Sequence, residues 1–400
     1  MDSEAALFLL TPEGREVVAS LEKTGGDPLA MGQFLRKRFP ALKPSFLAAA
    51  AELRETRGRA HEKFSRAGEL FFTREALEQS TGERVAAHRA ERFRGLGAVC
   101  DLCCGIGGDA IALGREVRHL ACVDRDRSRI AFCRENLRIL GIPVSTIEAD
   151  CADMRDRMGE YDAVFIDPSR RTGGKRVRTV ESMEPPMETV LDLLGRAPGG
   201  AAKLPPAFDL QSAGAGRELE WVSTGTGLKE AVLWTGSLQR AGVSVTLLHR
   251  GVSITDREVP ATAPDISGPK AFLYEPDPAL IRSGLLGGVA VSRGMSLLDR
   301  QIAYTVADAL IDDPLFTGFR VLDSFPFNLK RLRECLQSLD AGPVTVKKRG
   351  FPLEPEDILK KLALAGRRAV TIVLARIGNG HRVFVVEPLK APFPVKDNGE

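Results

Sequence analysis

The chain has 400 residues, 44% of them hydrophobic and 27% charged, with a formal net charge of +3. This length allows two or three domains with their own cores, and the small net charge indicates no overall preference for an anionic partner. No apolar run approaches the roughly 20 residues of a membrane helix, and the amino terminus lacks a basic leader. Six of the seven cysteines lie between Cys100 and Cys151, a pattern typical of reduced cysteines. These features predict a cytoplasmic protein without a membrane partner.

Residues 1–90 are predicted to form a helical domain, because glycines are few and apolar residues recur at steps of three and four. Thr11-Pro12-Glu13 is typical of a helix start. Ser80 or Thr81 is predicted to cap the helix that follows. We expect a helical domain in which some side chains also face a ligand.

Strand-like and helix-like stretches alternate over residues 91–256, which predicts a doubly wound α/β sheet. Two late segments, 230–234 and 243–249, are expected to close this sheet as an antiparallel pair. The earlier predicted strands cover residues 98–102, 119–123, 144–149, 161–166 and 201–204.

The first four of these strands are each followed by or end in an aspartate: Asp101, Asp124, Asp150 and Asp167. Parallel strands end at one edge of a sheet, and ligands bind outside that edge. Because an unpaired buried charge is costly, packing alone does not explain four carboxylates in these positions. The pattern predicts a ligand site.

A glycine turn follows the first strand and leads into a helix, so that a ligand can approach the backbone closely. Its glycines are Gly105, Gly107 and Gly108, and Asp124 lies where an acidic residue receives ribose hydroxyls in nucleotide-binding folds. The turn alone leaves a nicotinamide dinucleotide open as a ligand. Asp150, placed for an adenine amino group, and Asp167, placed for chemistry, favour a different nucleotide cofactor.

Residues 99–168 resemble the class I S-adenosylmethionine-dependent methyltransferases, with Val-Cys-Asp-Leu-Cys-Cys-Gly-Ile-Gly-Gly-Asp at 99–109 as motif I. This region is similar to trimethylguanosine synthases, which also carry a helical Thr-x-Glu-x-x-Ala segment like residues 81–86. The whole chain resembles bacterial methyltransferases with a THUMP-like carboxyl-terminal domain. The segments that carry this wider resemblance are 77–81, 167–171, 274–279 and 346–350.

Pro260, Pro264 and Pro269 predict a linker over 257–270. The resemblance implies a Rossmann-like methyltransferase domain over 91–256 and an α/β THUMP-like domain over 271–395. It also implies S-adenosylmethionine as cofactor, with the motif I residues near its methionine part, Asp124 at the ribose and Asp150 with Cys151 at the adenine. The cofactor-binding residues expected on this basis are Asp101, Cys103, Gly105, Gly107, Gly108, Asp124, Asp150, Cys151 and Asp167.

The expected catalytic residues are Asp167, Pro168, Ser169 and Arg170. Amino-group methyltransferases of this fold usually have a second proline and a base-stacking aromatic where this chain has Ser169 and Arg170. Asp167 is still able to accept a hydrogen bond from an attacking amine. Methylation of uracil carbon 5 is disfavoured, because it needs a later cysteine and only Cys335 follows Cys151.

Two basic segments are the expected substrate contacts: Arg170, Arg171, Lys175 and Arg176 after the catalytic motif, and Lys347, Lys348 and Arg349 near the carboxyl terminus. Basic side chains at a site mouth attract the phosphates of RNA. The alternative for the first segment is a solvated loop whose arginines pair with Glu181 and Glu184. The alternative for the second segment is an ordinary solvated face of the domain. THUMP-type domains are associated with RNA, so the resemblance implies RNA (tRNA or rRNA) as partner.

We therefore expect an S-adenosylmethionine-dependent methyltransferase that acts on an amino nitrogen of a base in structured RNA. One alternative is a cofactor-binding RNA-binding or assembly protein without catalysis, and another is a methyltransferase of a small molecule or protein. No metal is expected, because Cys100, Cys103 and Cys104 lack a second cysteine or histidine pair at zinc spacing.

Overall fold

The computed structural model describes residues 1–22, 28–169, 171–172, 175–176 and 183–389. The chain divides into two compact units. The first contains Met1–Glu218 and Glu230–Arg240, and the second contains Leu219–Lys229 and Ala241–Glu400. In the described residues, every helix is too short or too polar to cross a bilayer.

The described residues of the first unit begin with six α-helices, where the sequence predicts a helical domain. Thr11 caps the second of them, with its hydroxyl oxygen 3.0 Å from the Gly14 amide. The predicted cap at Ser80 or Thr81 is wrong: Gly82 occupies that position, and the Thr81 hydroxyl is used inside the protein instead. The helices are α1 (Ser3–Phe8), α2 (Pro12–Glu22), α3 (Pro28–Arg38), α4 (Pro44–Ala60), α5 (Arg74–Gln79) and α6 (Glu83–Ala90).

A Rossmann-like sheet follows, and its central strands are buried because helices cover parallel sheets on both faces. The elements after the helices are β1 (Ala98–Leu102), α7 (Ala110–Glu116), β2 (His119–Asp124), α8 (Arg127–Ile139), β3 (Ser145–Glu148), β4 (Ala163–Ile166), the separate hairpin of β5 (Arg171–Thr172) and β6 (Lys175–Arg176), α9 (Met187–Gly195), β7 (Gly199–Leu204), β8 (Glu218–Thr224), most of which belongs to the second unit, and β9 (Gly227–Gly236). Strands β3, β2, β1, β4 and β7 are parallel neighbours in that order, and β9 runs antiparallel to β7.

The predicted pairing of segments 230–234 and 243–249 is wrong. In the second unit, β10 (Val243–Leu247) lies parallel to β8 and antiparallel to β11 (Val252–Thr255). The sequence did not indicate β8 as a strand, because Glu218 and Glu220 interrupt its apolar pattern. Glu220 is nevertheless buried and accepts a hydrogen bond from the Thr246 hydroxyl at 2.7 Å.

The rest of the second unit is a seven-stranded sheet in the order β13-β14-β12-β15-β18-β17-β16. Its strands are β12 (Phe272–Pro276), β13 (Ser296–Leu297), β14 (Thr305–Ala307), β15 (Phe316–Pro326), β16 (Ala341–Arg349), β17 (Arg368–Ile377) and β18 (Gly380–Pro388). Its helices are α10 (Pro278–Arg282), α11 (Leu286–Ser292), α12 (Leu329–Ser338) and α13 (Pro355–Leu362).

Alternation along β17 gives this sheet two apolar faces. Ile372 and Leu374 pack in one core with residues of α12 and α13, whereas Val373 and Ala375 belong to a second core on the other face. Gly284, at φ +75°, separates α10 from α11.

Candidate functional site

A cavity of about 830 Å³ opens at the carboxyl ends of the strands in the first unit. Helices α4 and α5 and the α5–α6 connection contribute to its wall. It brings together most of the expected site residues, namely Asp101, Cys103, Gly105, Gly108, Asp124, Asp150, Cys151, Asp167, Pro168 and Ser169.

The turn after β1 requires left-handed backbone, with φ +56° at Gly105 and +90° at Gly107. The Gly105 amide donates to Asp124 Oδ2 at 2.8 Å, which ties the turn to the end of β2. Gly107 does not line the cavity. A Cβ atom there would lie 2.9 Å from Leu137 Cδ1 and 3.1 Å from Cys133 Sγ, so Gly107 allows the turn to pack on α8.

Asp101 is completely buried at the end of β1. Neither of its carboxylate oxygens has a hydrogen-bond partner in the described part of the chain. Burial raises the pKa of this carboxyl well above its ordinary range, and the nearby Asp109 raises it further. A buried carboxylate left without a donor is suited to receive a cationic group from a ligand.

The next two strand-end carboxylates have backbone partners. Asp124 accepts from the amides of Gly105 and Asp126, and burial raises its pKa. Each of its oxygens receives one N–H and keeps capacity for a ligand hydroxyl. Asp150 is half-exposed and caps the turn that begins at Cys151, where it accepts from the Ala152 amide at 3.0 Å.

Below the cavity lies a buried ionic network that the sequence did not reveal. The Arg89 guanidinium, 1% exposed, forms ion pairs with Asp109 and Glu230. Burial acts to lower the pKa of Arg89, but the charges of Asp109 and Glu230 outweigh it and raise that pKa. Arg89 also donates to the Thr81 hydroxyl at 3.1 Å, and that hydroxyl donates to Asp109 at 3.0 Å.

Lys203 connects this network to the expected catalytic motif. Its Nζ lies 2.6 Å from Asp167 Oδ2 and 3.0 Å from Thr81 Oγ1. The side chain is only 7% exposed and lines the cavity from β7. Its position near the end of a predicted strand is the one sequence signal that could have marked it.

The basic loop after Asp167 is only partly described. Arg170 lies outside the described residues, and Arg171, Lys175 and Arg176 are described by backbone alone, in the β5–β6 hairpin. Glu184, one of the acids considered as a partner for this loop, pairs with Arg125 at 2.6 Å.

The expected basic contacts of the second unit do not form one patch. Lys347 Nζ lies 2.6 Å from Glu275 Oε2, and Arg349 Nη2 lies 3.4 Å from Glu275 Oε1. Lys348 pairs with Glu354 at 2.6 Å instead. Because successive side chains of a strand point to opposite faces, Lys348 is separated from its two neighbours.

Three buried thiols come together behind the glycine turn. The sulfurs of Cys104, Cys122 and Cys133 lie within 4.8 Å of one another. Only Cys104 belongs to the cysteine cluster considered from the sequence. The expectation that the protein holds no metal stays a prediction.

The comparisons with known proteins agree with this geometry. Family models match residues 99–172 as a methyltransferase domain and residues 316–388 as THUMP domain-like. Over 357 residues the chain is 33% identical to an "uncharacterized S-adenosylmethionine-dependent methyltransferase" of Mycobacterium tuberculosis, found in strains CDC 1551 and H37Rv, with 86% of this chain and 96% of the relative covered. The chain belongs to the S-adenosylmethionine-dependent methyltransferases.

The fold of this methyltransferase has also been seen in a crystal. A structure named "putative methyltransferase from Porphyromonas gingivalis W83" matches 90% of this chain and 97% of its own, with a TM-score of 0.73 at 22% identity. At that identity the match supports the fold alone. The Rossmann-like methyltransferase sheet and the α/β THUMP-like domain predicted from the sequence are confirmed.

The residues present fit the family's cofactor, S-adenosylmethionine. Asp101 offers two buried carboxylate oxygens without partners in the described chain, which suits the ammonium group of the methionine part. The cavity volume of about 830 Å³ lies within the range of cofactor pockets. The carboxylates of Asp101, Asp124 and Asp150 give the cavity wall an acidic character that suits a cationic cofactor.

Asp101→Asn tests the role of this carboxylate. Because burial raises the pKa of Asp101, the folded chain binds a proton there more readily than the unfolded chain does. Ionisation of Asp101 therefore lowers the stability of the folded chain as the pH rises above about 4. We expect the cofactor-free variant to melt no lower than the wild type at pH 8. Its affinity for S-adenosylmethionine should fall about 10- to 100-fold by calorimetry, the loss of a charge-assisted hydrogen bond. Asp156→Asn, at a 95% exposed side chain, is the control, and unchanged affinity in Asp101→Asn would contradict the assignment.

Gly107→Ala tests the packing of the turn. Both Gly107 and the control Gly141 have positive φ, but only at Gly107 does a Cβ meet side-chain atoms within 4 Å. Strain of about 1 kcal/mol or more applies to both variants. We expect Gly107→Ala to lower the free energy of unfolding by at least 1 kcal/mol more than Gly141→Ala in urea titrations, and equal losses would refute the packing argument.

Proposed function

We propose that this methyltransferase transfers the methyl group of S-adenosylmethionine to an amino nitrogen of a base in structured RNA, such as tRNA or rRNA. The observation that carries the proposal is the state of Asp167 at the cavity wall. One of its oxygens, Oδ2, is held by Lys203. The other, Oδ1, has no hydrogen-bond partner among the described residues, so it is available to an N–H of the amino group that receives the methyl group.

The proposed cofactor contacts follow the four strand ends. Asp101 receives the ammonium group, Asp124 the ribose hydroxyls, and Asp150 with the Cys151 backbone the adenine. Bound there, S-adenosylmethionine supplies a methyl group activated by a sulfonium. The remaining proposed cofactor contacts are the turn residues Cys103, Gly105 and Gly108 and the carboxylate of Asp167. Gly107, expected from the sequence as a further contact, packs on α8 and supports the turn instead.

The proposed work of Asp167 is to position the attacking nitrogen. A carboxylate oxygen that accepts one N–H of an amino group fixes where the nitrogen lone pair points, and it can receive the proton that the nitrogen releases. Pro168 and Ser169 set the path of the chain next to this carboxylate, since Ser169 is bound through its backbone to Glu184. With Arg170 they complete the proposed catalytic motif.

RNA is the proposed substrate because the second unit matches the THUMP domain-like family and because a basic loop follows Asp167 directly. Phosphate oxygens would bind the arginines and lysines of that loop: Arg170, Arg171, Lys175 and Arg176. In the second unit, Lys347, Lys348 and Arg349 would exchange part of their carboxylate contacts for phosphates.

Asp167→Ala is the test of the reaction. RNA from a strain that lacks the gene is incubated with protein and methyl-tritiated S-adenosylmethionine, and labelled nucleosides are then identified. We expect the variant to lose about 10²- to 10⁴-fold in turnover, the range for a positioned proton acceptor, while calorimetric cofactor affinity is largely kept. Loss of cofactor binding would refute this role. Absence of label from wild-type reactions favours a non-catalytic binding protein, and label in protein or small molecules favours those acceptors.

The basic residues of the second unit are tested by salt dependence. Replacing Lys347, Lys348 and Arg349 by methionine should weaken binding to that RNA and reduce the slope of log affinity against log salt by up to about 0.9 per lost phosphate contact. Lys330→Met, at an 87% exposed lysine of the same unit, is the matched control. If the triple variant and the control bind equally, these residues are not phosphate contacts.

A further inference from the structure

Lys203 is a buried cation that no sequence motif marks. It stands on β7, beside β4 and therefore beside the end of the strand that carries Asp167. Its ammonium group is held between two groups at fixed distances, Asp167 Oδ2 at 2.6 Å and Thr81 Oγ1 at 3.0 Å. Lys203 lines the same cavity as Asp167.

The ammonium group has one hydrogen left over. A lysine side chain carries three N–H donors, and two are used by Asp167 and Thr81. No other acceptor for Lys203 occurs among the described residues. Because the side chain is 7% exposed, an unused donor there is costly unless a ligand or water receives it.

The framework around Lys203 holds it in place. The Thr81 hydroxyl donates to Asp109 and accepts from Arg89 as well as from Lys203, so its orientation is fixed on three sides. Arg89 is in turn paired with Asp109 and Glu230. A donor on such a rigid framework is suited to recognise an atom at a defined position.

We propose that Lys203 is a specificity-determining residue of the acceptor site, whose free N–H donates to the ring nitrogen next to the amino group that is methylated. This inference rests on the proposed function. Lys203 and Asp167 Oδ1 then present a donor and an acceptor side by side. The amino-bearing edge of a nucleobase is complementary to that pair, because its N–H donor stands next to an acceptor atom.

The same pair disfavours alkyl amines. A lysine side chain or a polyamine has N–H donors and no neighbouring acceptor atom, so it leaves the third N–H of Lys203 without a partner. The geometry thus selects for a nucleobase over an aliphatic amine, a discrimination that Asp167 alone does not supply. A base that lacks either the N–H donor or the neighbouring acceptor atom leaves Asp167 or Lys203 without its partner, and it therefore binds more weakly.

The test is a double-mutant cycle of wild type, Asp167→Asn, Lys203→Met and the double variant. Each is assayed under single-turnover conditions at saturating methyl-tritiated S-adenosylmethionine with RNA from the gene-deleted strain. Lys203→Arg measures rescue by another cationic donor, and Lys43→Met, at a 60% exposed lysine, is the control. Cofactor affinity is measured for every variant by calorimetry.

We expect Lys203→Met to lower kcat/KM for the RNA substrate about 100-fold and to leave the cofactor affinity within about threefold of the wild-type value. Lys203→Arg should regain part of the lost activity. In the Asp167→Asn background, Lys203→Met should cost a further tenfold or more, because its contact with the base is independent of the carboxylate. No further loss in that background would overturn the proposal, since Lys203 would then act only through Asp167. A parallel loss of cofactor affinity would overturn it too.

Failure of the proposed function looks different. If wild-type protein labels protein or small molecules and not RNA, the RNA acceptor is refuted, and the nucleobase contact of Lys203 falls with it. If RNA is labelled and Lys203→Met is as active as Lys43→Met, only the inference about Lys203 is refuted.

Discussion

The packing of the first unit depends on one buried ionic network, in which Arg89 pairs with both Asp109 and Glu230. A guanidinium buried in this way is stable only if its charge and donors are satisfied, so helix α6, the start of α7 and strand β9 must meet at one point. Thr81 extends the network to Lys203, and Lys203 extends it to Asp167. The position of Asp167, the proposed catalytic carboxylate, is thereby fixed by residues that lie outside the glycine turn.

The same dependence explains which parts of the site the sequence could predict. Asp101, Asp124 and Asp167 were found because each marks the end of an apolar strand, a local signal. Arg89 and Lys203 were not, because nothing near them in sequence indicates a partner. Their roles depend on contacts between residues far apart in the chain, and a periodicity argument cannot supply those.

The fold shows a similar division. Strands that are mostly apolar, such as β1 and β4, were predicted within two residues at each end. Strand β8 was missed, because its alternating glutamates look solvent-facing until Glu218 pairs with Arg92 and Glu220 with Thr246. Likewise, charge counting near the carboxyl terminus could not reveal that Glu275 neutralises Lys347 and Arg349 together.

The sequence separations within the ionic network bear on how the chain folds. Arg89 and Glu230 are 141 positions apart, and Thr81 and Lys203 are 122 apart. Contacts between residues so far apart in the sequence form late in folding, because the long loop between them must close first. During synthesis, residues Thr81 and Arg89 leave the ribosome well before Lys203 and Glu230 exist. The helical segment and the first strands can therefore assemble early, but the network that holds Lys203 and Asp167 at the cavity is completed only after residue 230 has emerged.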